Sequence, residues 1–313
     1  MKLKSALIKL FTLLLLFCLT ILTLSACADT SDNRTTIRVA YLPITHSAAL
    51  MMMKAHADPA ASYQIELVRF STWPDVVDAL RTGRVDGASI LFEVALAARN
   101  ADDSLFMVSL SHRDGNVVVV QNDIYCYSEL IGQVVAIPHR LSPHNTLFNM
   151  VLERENISAD DVQIIEISPA EMPASMASGA IAAYVVAEPF GAIAQDAGIG
   201  RIFETSEEIC RHNVCCVLIF REEVLSQSLK EWLLPGFELA AENTHKRDNT
   251  VLEVFMGHSP LSPEVIEQAL ANTSFENLFL TEEEYELITE IILRHGILEQ
   301  VPSFDSFVLD ISN

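Results

Sequence analysis

The sequence predicts an α/β fold built from two series of alternating strands and helices. The first series begins with the apolar strand Ile37–Leu42 and ends with a strand that reaches Phe92. The pattern restarts at Leu105, and a last strand, Cys215–Phe220, precedes a C-terminal part that is almost entirely helical. Strands that alternate with helices favour parallel-rich sheets with helices on their faces.

Apolar periodicity and helix-start signals define the first series. Pro43 ends the first strand, small apolar residues predict a helix over Ser47–His56, and the alternating segment Tyr63–Phe70 predicts a strand. Thr72 is the expected N-cap of the next helix, with Pro74 in its first turn.

The second series repeats these units. Its predicted strands are Leu105–Leu110, Val117–Gln121, Val134–Pro138, Val162–Ile167 and Ala182–Val186, and its predicted helices are Pro143–Glu155, Pro169–Ser178 and one that begins at Glu188. The C-terminal helices are predicted over Leu225–Lys246, Pro263–Ala271 and Glu282–Arg294. Because the second series is inserted within the first, we expect one lobe from residues 36–112 with 217–313, and a second lobe from residues 113–216.

Residues 1–26 are typical of a secretory signal peptide. Three lysines precede the apolar run Leu10–Leu24, which is shorter than the roughly 20 residues of a membrane-spanning helix. Leu-Ser-Ala-Cys27 resembles a bacterial lipobox, in which the cysteine is diacylated and becomes the first mature residue. The alternative is an ordinary signal peptide with a chance cysteine. Residues 27–35 are expected to be a flexible tether, so the sequence predicts an extracytoplasmic protein anchored by lipid at Cys27.

Charge excludes one class of partner. Removing the signal peptide leaves 17 Lys and Arg against 42 Asp and Glu, a formal net charge of −25 in place of −22. Nucleic acid is therefore not an expected partner, because phosphate binding needs clustered basic residues. A local pocket of N–H groups can still hold an anion.

Five segments resemble the nitrate/sulfonate/bicarbonate (NMT1-like) binding proteins of ABC importers. They are Val39–His46, Phe70–Asp75, Gly83–Ala88, Val186–Phe190 and Asn213–Leu218. The resemblance covers Thr36 to about Phe220. It implies a two-lobed periplasmic-binding-protein fold of type II, with a permease and an ATPase as partners. It also implies two hinge strands, near His112–Asn116 and His212–Cys216.

The resemblance carries over to a few residues. The family's pocket aromatic falls on Trp73, its polar hinge side chain on Asn116, and its Glu-Pro-aromatic turn on Glu188–Phe190. Nitrate binders of the family carry a lysine where Cys215 and Cys216 stand here. That departure makes nitrate itself a less favoured solute and leaves bicarbonate, a sulfonate, or a neutral or zwitterionic solute open.

The predicted ligand-binding residues stand at strand ends and helix starts, where open α/β sheets bind their ligands. They are Thr45, His46, Trp73, Asn116, His139, His144 and Glu188. Each has a structural alternative. Thr45 could cap its helix, Trp73 could anchor the core, Glu188 and Glu93 could cap helices, and the loop His139–Asn145 could face water.

Four cysteines follow Cys27, and their pairing is open: Cys126, Cys210, Cys215 and Cys216. The run Cys210–Cys216 suggests a metal site or a Cys210–Cys215 disulfide. Because Cys215 and Cys216 would point to opposite faces of a strand, we predict no metal site and no cofactor.

No catalytic motif stands out in the sequence, so we predict a binding protein and not an enzyme. The expected function is capture of a small oxyanion-type solute by lobe closure, by a monomer that delivers it to an ABC importer. The alternatives are a binding protein for a pyrimidine-type vitamin precursor and a lipoprotein solute sensor.

Overall fold

The computed structural model describes residues 34–309. The predicted signal peptide (1–26), Cys27 and all but the last two residues of the tether lie outside the described residues. From Thr36 onward the described chain forms one compact unit. Among the described residues, no helix is both long and apolar enough to cross a membrane.

Strands and helices alternate along most of the described chain. The strands are β1 (Thr35–Tyr41), β2 (Tyr63–Arg69), β3 (Gly87–Leu91), β4 (Leu105–Leu110), β5 (Arg113–Asp114), β6 (Asn116–Val120), β7 (Val134–Ile137), β8 (Gln163–Glu166), β9 (Ala183–Ala187), β10 (Arg201–Thr205), β11 (Cys216–Arg221) and β12 (Thr273–Ser274). The helices are α1 (Ala48–Ala55), α2 (Trp73–Arg81), α3 (Phe92–Ala101), α4 (Pro143–Arg154), α5 (Met172–Ala177), α6 (Phe190–Asp196), α7 (Ser206–Ile209), α8 (Gln227–His245), α9 (Asn249–Met256), α10 (Pro263–Ala271), α11 (Glu282–Arg294) and α12 (Phe304–Phe307).

The strands form two five-stranded sheets and one short pair. The first sheet has the order β2-β1-β3-β11-β4, in which β1 and β3 are parallel while β11 runs antiparallel to β3 and β4. The second sheet has the order β10-β6-β9-β7-β8, in which β7 is parallel to β8 and β9 while β6 runs antiparallel to its neighbours. The chain returns to the first sheet through β11 after it has completed the second.

Helices cover both faces of each sheet. In the second sheet, Val118 packs with Phe148 of α4, whereas its neighbours Val117 and Val119 pack with Met172 of α5. Successive side chains of a strand point to opposite faces, so the continuous valine run of β6 contributes to two apolar cores. The first sheet is covered by α2, α3 and α11 on one face and by α1 and α8 on the other.

The predicted α/β class and the helical C-terminal part are confirmed. Seven of the observed helices and strands were not predicted: α3, α7, α9, α12, β5, β10 and β12. Helix α3 begins at Phe92, directly after β3, with no loop to mark its start. Strand β10 is an edge strand whose five residues are all partly exposed and show no alternation of apolar and polar types.

Candidate functional site

The chain passes between the two sheets through residues 111–116 and 212–216, which we call the crossing segments. They lie side by side. The N–H of Asp114 donates to the carbonyl of Asn213 at 2.9 Å, and the amide of Asn116 donates to the side-chain oxygen of Asn213 at 3.1 Å. These are the segments that the resemblance implies as hinges.

Two histidines and two cysteines meet at the crossing segments. We call them the thiol-histidine cluster: His46, His112, Cys215 and Cys216. All four are fully buried, and one potential ligand atom from each lies within 4.8 Å of the others. The two sulfurs are 3.8 Å apart, and each lies 3.5 Å from Nδ1 of His46. The rings of His46 and His112 stack with centroids 3.6 Å apart.

The backbone determines which nitrogen of each ring carries a proton. Nε2 of His46 lies 3.0 Å from the carbonyl of Gly115. Because a carbonyl only accepts, Nε2 is protonated and Nδ1 presents a lone pair to the sulfurs. The N–H of Cys216 donates to Nε2 of His112 at 3.2 Å, so the proton of His112 is on Nδ1, which has no partner. Burial lowers the pKa of His112 to about 4 and keeps the ring neutral.

The two thiols differ in acidity. Burial opposes ionisation of Cys215, but the hydrogen bond from Cys216 and the nearby ring of His46 lower the pKa of Cys215 well below its ordinary value. The pKa of Cys216 is raised well above its ordinary value by burial and by Cys215. The sulfur of Cys215 also lies 3.5 Å from Oδ1 of Asn116. Cys215 is thus the more acidic thiol of the pair.

The prediction that Cys215 and Cys216 point to opposite faces is wrong. Strand β11 begins only at Cys216, so strand alternation does not govern the side chain of Cys215, whose carbonyl accepts the N–H of Phe92 at 2.8 Å. The alternative of a Cys210–Cys215 disulfide is also contradicted, because Cys126, Cys210, Cys215 and Cys216 are all free. The argument used against a metal site therefore fails.

Glu93 and His144 are two further buried polar groups with unpaired atoms. One carboxylate oxygen of Glu93 accepts the hydroxyl of Thr146 at 2.7 Å, and the other has no partner. Burial raises the pKa of Glu93 to about 8. Neither ring nitrogen of His144 has a partner, and burial lowers its pKa to about 4. The bond from Thr146 links α4, on the second sheet, to α3, on the first.

Thr45 and Glu188 contact each other. The N–H of Thr45 donates to the Glu188 carbonyl at 2.9 Å, and its hydroxyl donates to the same atom at 3.2 Å. The carboxylate of Glu188 accepts the N–H of Ala192 and the amide of Asn272, each at 2.9 Å. Burial raises the pKa of Glu188 to about 6. The ligand-binding role of both residues stays a prediction, although their polar groups already have partners.

Trp73 and His139 line one cleft of about 240 Å³ between the two sheets. At its rim the hydroxyl of Ser168 donates to the carbonyl of Ser71 at 3.4 Å. Trp73 is only 2% exposed and packs into the core of the first sheet, while its indole N–H has no partner. Nδ1 of His139 accepts the N–H of Leu141 at 3.0 Å. Trp73 is thus both a core anchor and a cleft residue.

The loop that carries His139 and His144 is held at the start of α4 by hydrogen bonds within the chain. The hydroxyl of Ser142 accepts the N–H of Asn145 at 3.2 Å, and the Asn145 amide donates to the carbonyl of Arg140 at 2.8 Å. Arg140 is exposed, and its guanidinium donates to the carbonyl of Ile164 at 3.3 Å. The polar groups of Ser142, Asn145 and Arg140 are therefore paired with other groups of the chain.

Sequence reasoning selected His46 but not the partners that surround it, His112, Cys215 and Cys216. The signal that could have identified them is their position. His112 stands in one implied hinge and the two cysteines stand at the end of the other, so a pairing of these segments brings the three side chains together.

A sequence model of the NMT1-like family matches residues 30–232. One curated relative is the bicarbonate transport ATP-binding protein CmpC of Synechocystis, which is 26% identical over 213 residues, or 61% of this chain and 32% of the relative. The chain thus spans about a third of the length of the curated relatives that it matches.

Three solved structures share the fold. The ligand-binding component of an ABC-type import system from Staphylococcus aureus, solved with zinc bound, is 32% identical with a TM-score of 0.83, over 88% of this chain and 97% of that one. The alkanesulfonate-binding protein SsuA from Xanthomonas axonopodis is 17% identical (TM-score 0.74, 87% and 97% covered). The nitrate-binding protein NrtA from Synechocystis is 15% identical (TM-score 0.75, 87% and 84% covered).

These likenesses confirm the predicted periplasmic-binding-protein fold. The prediction that the chain is a binding protein and not an enzyme is confirmed, because the solved relatives are ligand-binding proteins. The family model covers well over half of the sequence, including β1 to β11 and both crossing segments. The chain therefore belongs to the NMT1-like family.

Proposed function

We propose that this chain is the extracytoplasmic ligand-binding component of an ABC importer and that it captures a small oxyanion-type solute as two lobes close. The lobes would be residues 36–112 with 217–313, built on the first sheet, and residues 113–216, built on the second. A solute that contacts both lobes shifts their equilibrium toward the closed form. Support comes from the path of the chain, which passes from one proposed lobe to the other only through the two crossing segments.

The observation that carries the proposal is the cleft shared by Trp73 and His139. Its lining lies at the ends of strands of both sheets: Thr72–Pro74 after β2, Pro138–His139 after β7, and Glu166–Pro169 at the end of β8. Ligands of open α/β sheets bind outside the carboxyl ends of strands. The buried indole N–H of Trp73 lacks a partner, which costs about 1–3 kcal/mol. A solute oxygen at that position would accept it.

The charges around the cleft bear on the class of solute. Relatives of the same fold are named for bicarbonate, nitrate and alkanesulfonate. No Lys or Arg lines the cleft among the described residues. Its one charged lining residue is Glu166, whose carboxylate accepts the N–H of Arg140 at 2.5 Å. The buried guanidinium of Arg113 is already held by Glu284, at 3.1 Å, and by the carbonyl of Asn277, at 2.8 Å. We therefore expect neutral N–H donors to hold the solute oxygens, and nitrate to bind less well than bicarbonate or a sulfonate.

Location and partners follow from the same proposal. A signal peptide over residues 1–26 would export the chain, and a lipid on Cys27 would hold the monomer near a permease that is driven by a separate ATPase. The pyrimidine alternative lacks support, because Trp73 is the only Trp, Tyr or Phe that lines the described cleft and an aromatic sandwich needs two rings.

The two tryptophans of the chain provide the test. Trp73 lines the cleft, whereas Trp232 lies on α8 against Tyr63, with ring centroids 5.6 Å apart. Thermal-shift screening of bicarbonate, nitrate, alkanesulfonates, taurine and pyrimidines on the full-length protein would find the solute. Calorimetry in the presence of a metal chelator would then compare Trp73→Phe with Trp232→Phe.

We expect the solute to change the fluorescence of the Trp232→Phe protein, in which Trp73 is the sole tryptophan. Trp73→Phe keeps an aromatic ring but loses the N–H, and should weaken binding by about tenfold. Equal affinity in the two variants would exclude the cleft as the binding site.

A further inference from the structure

The thiol-histidine cluster has the geometry of a metal site. We infer that His46, Cys215 and Cys216 bind a thiophilic cation of the Zn²⁺ type, with His112 at the fourth position. This site is separate from the cleft lined by Trp73. The inference rests on the proposed function in one respect: the two lobes must open for an ion to reach the buried ligands.

The observed distances match those of a tetrahedral zinc site. Bond lengths of about 2.3 Å to sulfur and about 2.0–2.1 Å to nitrogen require about 3.8 Å between two sulfurs and about 3.5–3.6 Å between sulfur and nitrogen. The sulfurs of Cys215 and Cys216 are 3.8 Å apart, and both lie 3.5 Å from Nδ1 of His46. Three ligand atoms thus form one face of the tetrahedron with no rearrangement.

His46 is oriented as a metal ligand. Its Nδ1 presents a lone pair to the sulfurs, and its Nε2–H donates to the carbonyl of Gly115 at 3.0 Å. Metal-bound histidines commonly donate their second N–H to a carbonyl or carboxylate, which fixes the ring. Gly115 has a φ of +80°, and a Cβ there would lie 2.8 Å from Nε2 of His46. Only glycine permits this approach.

His112 supplies the fourth position. It offers one nitrogen within 4.8 Å of the other ligand atoms. To bind the ion through Nδ1, the ring would move its proton to Nε2 and release the N–H of Cys216. Two histidines and two cysteines make a set that suits Zn²⁺, which prefers four nitrogen and sulfur ligands. An oxygen-binding cation such as Mg²⁺ or Ca²⁺ finds no comparable ligands in the cluster.

Two further buried groups can make outer contacts. The free carboxylate oxygen of Glu93 and the two ring nitrogens of His144 have no partners, and both side chains are close enough to interact electrostatically with Cys215. Buried polar groups are nearly always hydrogen-bonded in folded proteins. Glu93 and His144 are therefore available to form hydrogen bonds with a water molecule or with another group that is bound to the ion.

A vicinal disulfide is the competing fate of the two thiols. In a disulfide the sulfurs are about 2.05 Å apart, whereas those of Cys215 and Cys216 are 3.8 Å apart and free. Oxidation and metal binding use the same sulfurs, so a test has to begin from fully reduced protein and count its thiols.

The test uses the full-length protein in detergent, reduced with a phosphine and freed of metal by a chelator. Zn²⁺ alone is titrated in competition with a chromogenic chelator, and Co²⁺ replaces it for spectroscopy. We expect one ion per chain, the visible absorption of tetrahedral cobalt, and a thiolate-to-cobalt charge-transfer band.

Variants assign the ligands. Cys215→Ser and Cys216→Ser should each weaken Zn²⁺ binding by more than about 100-fold, the upper end of what loss of an outer-shell partner costs. Cys126→Ser and Cys210→Ser, which alter cysteines outside the cluster, should bind as the unmodified chain does. His46→Gln and His112→Gln should each weaken binding and change the visible bands of tetrahedral cobalt, while the thiolate band is lost only in the cysteine variants.

Two results would overturn the inference. One is unchanged Zn²⁺ affinity in the Cys215→Ser/Cys216→Ser protein with an unchanged circular dichroism spectrum. The other is a reduced wild-type protein, with all its thiols titratable, that takes up no ion. If solute binding stays sensitive to Trp73→Phe in either case, only the metal site is excluded and the proposed function stands.

Discussion

Glu93 and Glu188 have equivalent places in the sequence but different surroundings in the fold. Each follows a fully buried strand, β3 or β9, and each is itself buried. Both oxygens of Glu188 accept hydrogen bonds, from Ala192 and Asn272, whereas Glu93 has one partner, Thr146. Burial raises the pKa of Glu93 to about 8, and that of Glu188 only to about 6.

The difference separates a structural group from one that is available to a ligand. Around Glu188 the neighbouring segments supply donors that offset the cost of burial, and its carbonyl holds Thr45 in place. Glu93 lies beside the thiol-histidine cluster, as does His144, whose ring nitrogens are also unpaired. A buried polar group is therefore interpreted from its partners and not from its position after a strand.

The largest expected effect follows from removing Glu188. Glu188→Ala leaves the N–H of Ala192 and the amide of Asn272 unpaired in a buried place, and should lower the free energy of unfolding by about 3 kcal/mol. Glu93→Ala should cost less, because only Thr146 loses a partner. Urea unfolding at pH 7 measures both. Equal losses of unfolding free energy would mean that the hydrogen bonds of Glu188 and Glu93 contribute equally to stability.

The two acids should also differ in their dependence on pH. The unfolded chain ionises Glu93 near its ordinary pKa of 4.5 and the folded protein only near 8, so stability falls as pH rises between these values. From pH 6 to pH 9, Glu93→Gln should gain about 2–3 kcal/mol relative to the wild type. For Glu188→Gln, with a folded pKa of about 6, the gain should be under about 0.5 kcal/mol.

Chemical unfolding of reduced, metal-free protein across this pH range gives both slopes. A Glu93→Gln protein whose stability runs parallel to the wild type would contradict the raised pKa of Glu93.

For His144 the free energy of unfolding should depend on pH with the opposite sign. Its pKa is lowered from 6.5 to about 4, so the unfolded chain takes up a proton before the folded protein does, and stability falls as pH decreases through this range. The wild type should lose about 2 kcal/mol more than His144→Gln between pH 7 and pH 5. His56→Gln, which alters an exposed side chain, is the control. Identical losses in the wild type and His144→Gln would show that His144 does not resist protonation.

The smallest effect concerns the contact between the two sheets. Thr146→Val keeps the shape of the side chain but removes the hydroxyl that donates to Glu93 at 2.7 Å. At pH 9, where Glu93 is ionised, we expect a loss of about 1 kcal/mol, and a smaller loss at pH 6. Urea unfolding at both values measures the difference. A loss that does not depend on pH would mean that the hydroxyl acts through packing alone.

Local pattern predicted most of the secondary structure. The valine run of β6, the Ser142-Pro143 start of α4 and the capping box at Thr281 each act within a few residues, so the sequence alone indicates them. Helix α3 was missed because its start at Phe92 lies directly at the end of β3, where no loop signal separates the two elements.

The candidate site was predicted only in part. Trp73 and His139 were selected as separate strand-end residues, and the fold brings them into one cleft. His46 was selected without its neighbours, since strand alternation was applied to Cys215, which stands just before the strand begins. Asn116 was selected as a polar hinge residue, and it lies at the cluster, where it contacts Asn213 and Cys215.

The sequence by itself determined the α/β class, the order of the elements and the family, because these depend on short-range periodicity and on motifs that survive in order along the chain. The tertiary structure alone decided which buried polar groups have partners. Residues 46, 112, 215 and 216 meet only when the two crossing segments lie side by side, and hydrogen bonds between distant segments leave Glu188 paired and Glu93 half unpaired.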